Sequence, residues 1–519
     1  MTDTTAPEIR TVPVVIIGAG PTGLTAATLL ARYGIDCLVL ERWPSLYPQP
    51  RAVALDDEVY RILGRLGIDE AFAEISRPMH GLRLLDRKHR VLAEFKRATQ
   101  RGRHGYPAAA LFDQPELEHL LRTNLARHPH ATLRGGINVT ALKQEAAGVT
   151  VSYTDTSTGT AGSVRTRYVL GCDGANSLAR STIGATMRDL RFAQRWLVLD
   201  IDTDVELGQW DGVHQVCDPD RPGTYMRVGE TRYRWEFRLK PHETEAVYSD
   251  PAWLSRLTAP WTGHVPEGKF EIVRVADYTF RAQIADRWRD RRIFILGDAA
   301  HLTPPFIGQG MGAGVRDAAN LAWKLAGALD DALPEGVLDT YEQERKPHAR
   351  TLIRTAKLIG TAMTRGGAPG NVLRSVIAPR LHRVPGINNL ILDSKTAPLR
   401  SSALVHAQPG RHALAGTLSP NALLPDGKRL DQVADGRFTV ITADEPTAAQ
   451  RTAITARGAV PVTAAPGTEL RTWLDSGQAQ AAVVRPDGTV LCDGPDVAEV
   501  LAALPDFRLS VYRTPVTGA

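Results

Sequence analysis

Two glycine-rich segments, one near the start of the chain and one close to three hundred residues later, restrict this 519-residue sequence to folds in which distant stretches meet at one site. The later segment runs Arg292-Ile-Phe-Ile-Leu-Gly297-Asp298-Ala-Ala-His301-Leu-Thr-Pro-Pro305-Phe-Ile307-Gly-Gln-Gly310-Met311-Gly312. It reads as an apolar strand, a Gly-Asp turn, a Pro-Pro turn and a glycine-rich helix start. That order sets the Asp298 carboxylate at the carboxyl end of a strand and free backbone N–H groups at a helix N-terminus. The first suits a ribose hydroxyl and the second an anionic oxygen. The earlier segment, Val14-Val-Ile-Ile-Gly18-Ala-Gly20-Pro-Thr-Gly23, is a β-branched strand followed by G-x-G-x-x-G and an Ala/Leu-rich helix. In that pattern Gly18 permits the tight turn, Gly20 lets a pyrophosphate approach the backbone, and Gly23 lets the helix pack on the sheet. Glu41 ends a second strand, Ile35–Glu41, about 18 residues past Gly23, where an acid holding a ribose 2′-OH is expected. Glu41 in place of Arg favours an unphosphorylated ribose, and Arg42 beside it suits a pyrophosphate. Both segments therefore point to one dinucleotide.

The rest of the composition removes several other classes. A chain of this length makes two to four domains, each able to bury a core. Lys+Arg of 62 against Asp+Glu of 57 leaves only +5, which suits anionic small molecules and gives no nucleic-acid footprint. The basic cluster Arg287-Trp-Arg-Asp-Arg-Arg292 reads as a solvated turn. Cys37, Cys172, Cys217 and Cys492 are isolated, with no C-x-x-C and no metal-ligand spacing, so neither a zinc site nor a dithiol centre is expected. Scattered cysteines, no signal sequence and no apolar run near ~20 residues predict a cytoplasmic protein without a membrane span.

Along the chain the pattern is discontinuous. The β-α-β start is interrupted by two short strands, Leu82–Leu85 and Val91–Phe95, and resumes at Phe112-Asp-Gln114-Pro with an amphipathic helix. Strands near 132–133, 139–145 and 149–153 lead to Cys172-Asp173-Gly174. Short aromatic and β-branched runs from about 190 to 285 read as a mainly antiparallel sheet. The Gly-Asp segment and a helix from Ala318 to Leu329 return to the nucleotide domain, and the last stretch alternates strands with helices.

With these residues in place, the sequence resembles the single-component, FAD-dependent aromatic hydroxylases (class A flavoprotein monooxygenases). It is most similar to the branch holding 3-(3-hydroxyphenyl)propionate hydroxylase and polyketide-tailoring hydroxylases. The motifs that carry the resemblance are Gly18–Gly23, Cys172-Asp173-Gly174 and Gly297-Asp298 with its Pro/Gly sequel. Weaker matches are Tyr47–Glu58, Cys217–Pro222 and Tyr341-Glu-Gln-Glu-Arg345. The resemblance implies an α/β fold: a Rossmann-like FAD-binding domain (1–80, 106–188 and 288–399), an inserted β-sheet substrate domain (81–105 and 189–287) and a thioredoxin-like domain (400–519). That last domain keeps only Cys492, so a structural or dimer-forming part is expected of it, and a homodimer of the chain.

The resemblance further implies residue roles. Glu41 holds the adenosine ribose, and Arg51 reaches the pyrophosphate or the flavin. Gln114 contacts FAD, Asp173 serves FAD and transient nicotinamide, and Asp298 holds the ribityl or pyrophosphate region. Pro305 lines the flavin, and the amides of Met311 and Gly312, after Gly310, face its pyrimidine oxygen. Gly312 stands where many relatives carry Asn, and Ile307 where many carry a second Gly. The implied reaction draws hydride from NADH or NADPH and oxygen from O₂. A flavin C4a-hydroperoxide then delivers one atom to a phenolic or polycyclic aromatic small molecule. Candidates for the substrate wall are His214, Tyr225, Arg227, Tyr233 and Trp235, although alternation alone does not say which face meets ligand. His301 reads as a local hydrogen-bond cap in preference to an acid–base group. Baeyer–Villiger or quinone-forming oxygenation of a polyketide is the alternative within the class. A flavin reductase or flavin-binding sensor is the alternative outside it. The W-x-W-x-I-P segment of flavin halogenases is absent.

Overall fold

Val14, Val15 and Ile16 are wholly buried, because the β-branched run Thr11–Ile17 is the centre of a parallel sheet covered on both faces. The computed structural model describes residues 11–47, 52–97, 102, 104–218, 220–266, 268–364, 396–407 and 414–513. Around Thr11–Ile17 the strand order is Arg289–Asp290, Ile293–Ile295, Ala161–Gly171, Thr11–Ile17, Cys37–Leu40, Ala131–Arg134. All of these pair in parallel except Arg289–Asp290. Ile293–Ile295 lies two places from Thr11–Ile17, so the Gly-Asp turn and the G-x-G-x-x-G turn emerge at the same sheet edge. The helices that follow, Pro21–Arg32 and Gly310–Leu329, pack side by side: a Cβ on Gly314 would lie 2.3 Å from Thr22 Oγ1. The second helix begins at Gly310, eight residues before the expected Ala318, because the glycines of its first turn are tolerated where packing is this close.

A second eight-stranded sheet stands beside the first. It gathers Glu271–Ala285, Met187–Asp202, Arg232–Arg238, Gly223–Arg227, Val213–Val216 and the early strands Gly81–Leu85 and Val91–Lys96. Val213–Val216 pairs in parallel with Gly81–Leu85, and its other pairings are antiparallel. His301–Leu302, just past the Gly-Asp turn, forms its edge against Gln283 and Ile284. One short segment thus belongs to both sheets and fixes the gap between them.

Residues 414–513 carry a four-stranded sheet, ordered Val460–Thr463, Thr439–Thr442, Ala481–Val484, Val490–Gly494. It is locked to the body by Arg485, whose guanidinium donates to both oxygens of Glu344 at 3.0 Å and pairs with Asp487. Lys324 reaches Glu344 at 2.8 Å, and Arg61 and Arg65 grip Asp431. Burial pushes the Cys492 thiol up to about 12, which makes it an inert packing residue.

Between this unit and the body, Asp57 lines a smaller cavity of about 440 Å³. Burial, then Asp56 and Glu58, push its carboxyl up to about 7. The folded chain therefore holds this proton more tightly than the unfolded chain does. The stability associated with it is complete below about pH 4 and is lost as pH rises through about 7. Asp57→Asn, which keeps the neutral form, is expected to add on the order of 1–3 kcal/mol at pH 8 and almost nothing near pH 4. Chemical denaturation at the two pH values checks it, and equal stability of both proteins at pH 8 would refute it.

Candidate active site

The strand Thr11–Ile17 turns sharply at Gly18, whose N–H donates to Leu40 at 2.8 Å. Gly18 has φ +100°, and a Cβ there would lie 2.4 Å from the Cys172 carbonyl oxygen. At Gly23 a Cβ would lie 2.0 Å from the Gly18 carbonyl oxygen. Gly20 differs: a Cβ on it would meet nothing within 4 Å, and it lines a cavity of about 510 Å³. The helix it opens has Pro21 in its first turn, no side-chain cap and no acid there. Gly310–Leu329 likewise starts without a side-chain cap or a first-turn acid, and Gly310 and Met311 line the same cavity. Two unneutralised helix N-termini converging on one open space make a binding site for an anionic group. This is the feature that fits FAD.

Other residues expected at a cofactor divide by position. Gly297, Asp298, Pro305 and Gln114 line the cavity, while Gly312 is buried just behind it. A Cβ on Gly312 would press on Arg316 Nη1 at 2.9 Å and Val59 at 3.0 Å, a tight fit that accounts for glycine here. Gln114 Oε1 accepts from the Ala52 N–H at 2.6 Å and Nε2 donates to Glu118. Glu41 sits at the strand end with its carboxylate on the N–H groups of Ala19 (2.6 Å) and Trp43 (3.0 Å), so it also shapes the glycine turn. Arg42 is exposed and lies over the Trp43 ring, away from the cavity. Asp173 accepts from Ser177 Oγ and the Ala179 N–H; its neighbours Cys172 and Gly174 are the ones that reach the cavity wall. Arg51 lies outside the described residues.

Two buried networks hold these parts, and sequence reading did not identify them. Asp317 accepts from the Gly297 N–H at 3.1 Å, from His301 Nε2 at 2.8 Å and from Arg345 Nε at 2.9 Å. Burial would raise the Asp317 carboxyl, but His301 and Arg345 hold it below the usual range. His301 therefore braces the Gly-Asp turn. In the second network, Gln309 donates to Asp56 at 2.7 Å and accepts from Arg316 at 2.9 Å, which sets the start of the cavity-facing helix. Asp56 and Arg345 both fall in stretches singled out in the sequence. Their partners lie far away in the chain, and no local pattern marks them.

The second sheet forms the opposite wall, and here the expected substrate candidates need correction. Tyr225, Tyr233 and Trp235 point to the outer face, where they cluster under the helix Pro251–Thr262 against Trp261. Tyr225 lies 4.8 Å from the Trp235 ring and 5.5 Å from Trp261. His214 shares that face beside Trp210, and burial, then Arg83, lower its pKa to about 4, so it is neutral near pH 7. Arg227 pairs with Glu206 at 2.7 Å. The cavity meets the alternate residues: Val198, Gln215, Thr224, Met226, Arg234 and Glu236. Because the period is 2, a one-residue choice of face exchanges the whole set.

Among the described residues no group of His, Cys, Asp and Glu is placed to hold a metal ion, and no helix is long and apolar enough to cross a membrane. A family model described as "FAD binding domain" matches residues 11–356. The chain is 34% identical to a probable NADH-specific resorcinol 4-hydroxylase of Rhodococcus jostii (strain RHA1), over 98% of this chain and 96% of that protein. It is 34% identical to a 3-(3-hydroxy-phenyl)propionate/3-hydroxycinnamic acid hydroxylase of Burkholderia vietnamiensis, over 82% of this chain and 78% of the relative. Among solved structures, the flavin-dependent monooxygenase PieE, in complex with FAD and substrate, superposes with TM-score 0.81 at 26% identity, covering 98% and 100% of the two chains. Aklavinone-11 hydroxylase, with FAD and aklavinone, gives 0.79 at 26%, covering 96% and 98%.

Proposed function

Because this chain belongs to the FAD-dependent aromatic hydroxylases, NAD(P)H- and O₂-using monooxygenases with this FAD-binding domain, we propose that it hydroxylates a phenol at the cavity between its two sheets. The observation that carries the reading is the meeting of the two uncapped helix N-termini and the open side of Gly20 opposite a wall with polar side chains.

When bound, FAD supplies hydride acceptance from NAD(P)H and activation of O₂. The protein's own residues bind and orient. The amides after Gly20 and at Met311 and Gly312 would hold the anionic and electron-rich groups of the cofactor, and Asp298 and Gln114 its polar groups. Glu41 would take the ribose through lone pairs its backbone donors leave open. Pro305, Phe306 and Ile307 form an apolar rim that excludes water from the reacting carbon. The sheet wall orients the substrate ring. A simple phenol of the resorcinol or hydroxyphenylpropionate kind agrees with the curated relatives, and a compound of the aklavinone kind with aklavinone-11 hydroxylase. The arrangement is that of a Rossmann-like domain with an inserted substrate sheet and a thioredoxin-like C-terminal unit, in a cytoplasmic enzyme that forms a homodimer.

The test is FAD content of the purified protein, then NADH and NADPH oxidation with O₂ uptake over resorcinol, hydroxyphenylpropionates and anthraquinone polyketides, products being identified by mass. A compound that stimulates oxidation and gains one oxygen supports the reading; protein that binds no FAD contradicts it. Asp298→Ala is expected to lower FAD affinity at least tenfold, the loss of about one charge-assisted hydrogen bond, and Glu41→Ala less. Unchanged flavin retention in both would remove these residues from the site.

A further inference from the structure

The cavity-facing side of the second sheet carries one carboxylate that the fold does not use. Glu236 lies in the strand Arg232–Arg238, opposite Thr224 on one side and Val198 on the other. Its side chain belongs to the cavity wall, yet the residue is only 8% exposed. Among the described residues no hydrogen bond or ion pair holds its carboxyl group. The neighbouring acid behaves otherwise: Asp200 is completely buried and is clasped by Arg234 at 2.6 and 2.9 Å, with Arg274 4.0 Å away. Gln215 and Thr224, the polar neighbours in the same row, satisfy each other and the sheet backbone. A carboxyl on an almost fully buried residue, without a hydrogen bond of its own, is costly, and such a group in a cavity is matched by what the cavity takes in.

We propose that Glu236 is a catalytic residue that accepts the hydroxyl proton of the phenolic substrate. This deepens the proposed function and rests on it. In the step, the substrate O–H bond breaks and its proton passes to a Glu236 carboxylate oxygen. The electron pair stays on the ring oxygen and spreads to the ortho and para carbons, one of which forms the new C–O bond. O₂ supplies that oxygen, its other atom leaves as water with the two electrons of NAD(P)H, and the ring C–H proton goes to solvent as aromaticity returns. Glu236 then gives its proton back to the product. The charged groups facing it are Arg234 on its own strand, Asp200 on the strand Met187–Asp202 and Arg274 on Glu271–Ala285; Gly223–Arg227 presents the uncharged Thr224. Burial first, and Asp200 with it, raise the Glu236 carboxyl against the opposing pull of Arg234 and Arg274. That brings its proton affinity nearer to that of a phenol, as a base for this transfer requires.

The experiment uses the FAD-loaded enzyme with resorcinol and 3-(3-hydroxyphenyl)propionate, each beside the ether in which every phenolic hydroxyl is methylated. Glu236→Gln is expected to retain FAD and to lose 10²- to 10³-fold in kcat for hydroxylation of the phenol. Its pH–kcat profile should lose the acidic limb, which in the unaltered enzyme lies above the ordinary glutamate range. The ether, with no proton to give, should be turned over equally poorly by both proteins, so the enzyme and substrate changes do not add. Glu236→Asp should restore part of the rate and the limb. A Glu236→Gln enzyme with an unaltered profile, or with equal proportional losses for phenol and ether, overturns the assignment. If the variant fails to fold, the profile of Glu236→Asp decides: a limb that neither shifts nor weakens overturns it. If the unaltered enzyme hydroxylates neither phenol, the same comparison is made with the phenol of the wider panel that gains oxygen; if none does, the proposed function fails first, and the assignment falls with it.

Discussion

Arg485→Ala is expected to be the most destabilising single change outside the apolar core, by about 3–5 kcal/mol. Arg485, Glu344 and Lys324 are each 0% exposed as side chains, so removing the guanidinium strands two carboxylates, Glu344 and Asp487, without water to replace it. Burial would raise the Glu344 carboxyl, but Arg485 and Lys324 hold it well below the usual range. Lys324 is lowered too, to about 8, chiefly by burial, which weakens its charged form, and alone it cannot replace Arg485. The measurement is denaturant unfolding followed by tryptophan fluorescence, since Trp323 stacks edge-on with Phe438 and Phe507 at this contact. A loss below about 1 kcal/mol would mean that the network adds no more than an exposed pair does. Glu344→Gln, which leaves only one charge unmatched, should cost less than Arg485→Ala.

Gly20→Val is expected to abolish FAD binding while leaving the apoprotein as stable as before. Gly20 has φ −75° and ψ 179°, a conformation open to any residue, and a Cβ there meets no protein atom within 4 Å. It would occupy the space where the pyrophosphate approaches the backbone. Gly23→Ala is the control with the opposite signature. Its Cβ would overlap the Gly18 carbonyl, so it should lower the melting temperature and lose FAD only as a consequence. Flavin absorbance per protein, together with the melting temperature of the stripped protein, separates the two. A Gly20→Val protein that retains FAD would move the pyrophosphate elsewhere and remove the main support for the site.

The contrast between those glycines shows what could be read ahead of the structure. Gly18, Gly20 and Gly23 were legible because their demands are local: a turn, an approach and a contact within six residues. The strand Arg232–Arg238 was legible as a strand for the same reason. Its facing was not, since Tyr233 and Trp235 look like cavity residues by type, and only the helix Pro251–Thr262 with Trp261 shows that they cover the other side. Asp56 with Arg316, and Asp317 with Arg345 and His301, are pairings set by tertiary closure, with no spacing rule behind them. Glu236 was hidden by its neighbours, because an acid between two large aromatics resembles the solvent side of an amphipathic strand.

The helix Gly310–Leu329 presents its first turn to the cavity and, through Asn320 and Lys324, gives its later turns to the clamp that holds residues 414–513. Shuffling of segments between related enzymes is therefore constrained at this helix. A tail taken from another member of the family would need to bring its own counterpart of Arg485 to the Glu344 of this body. Those two residues travel together, or neither does.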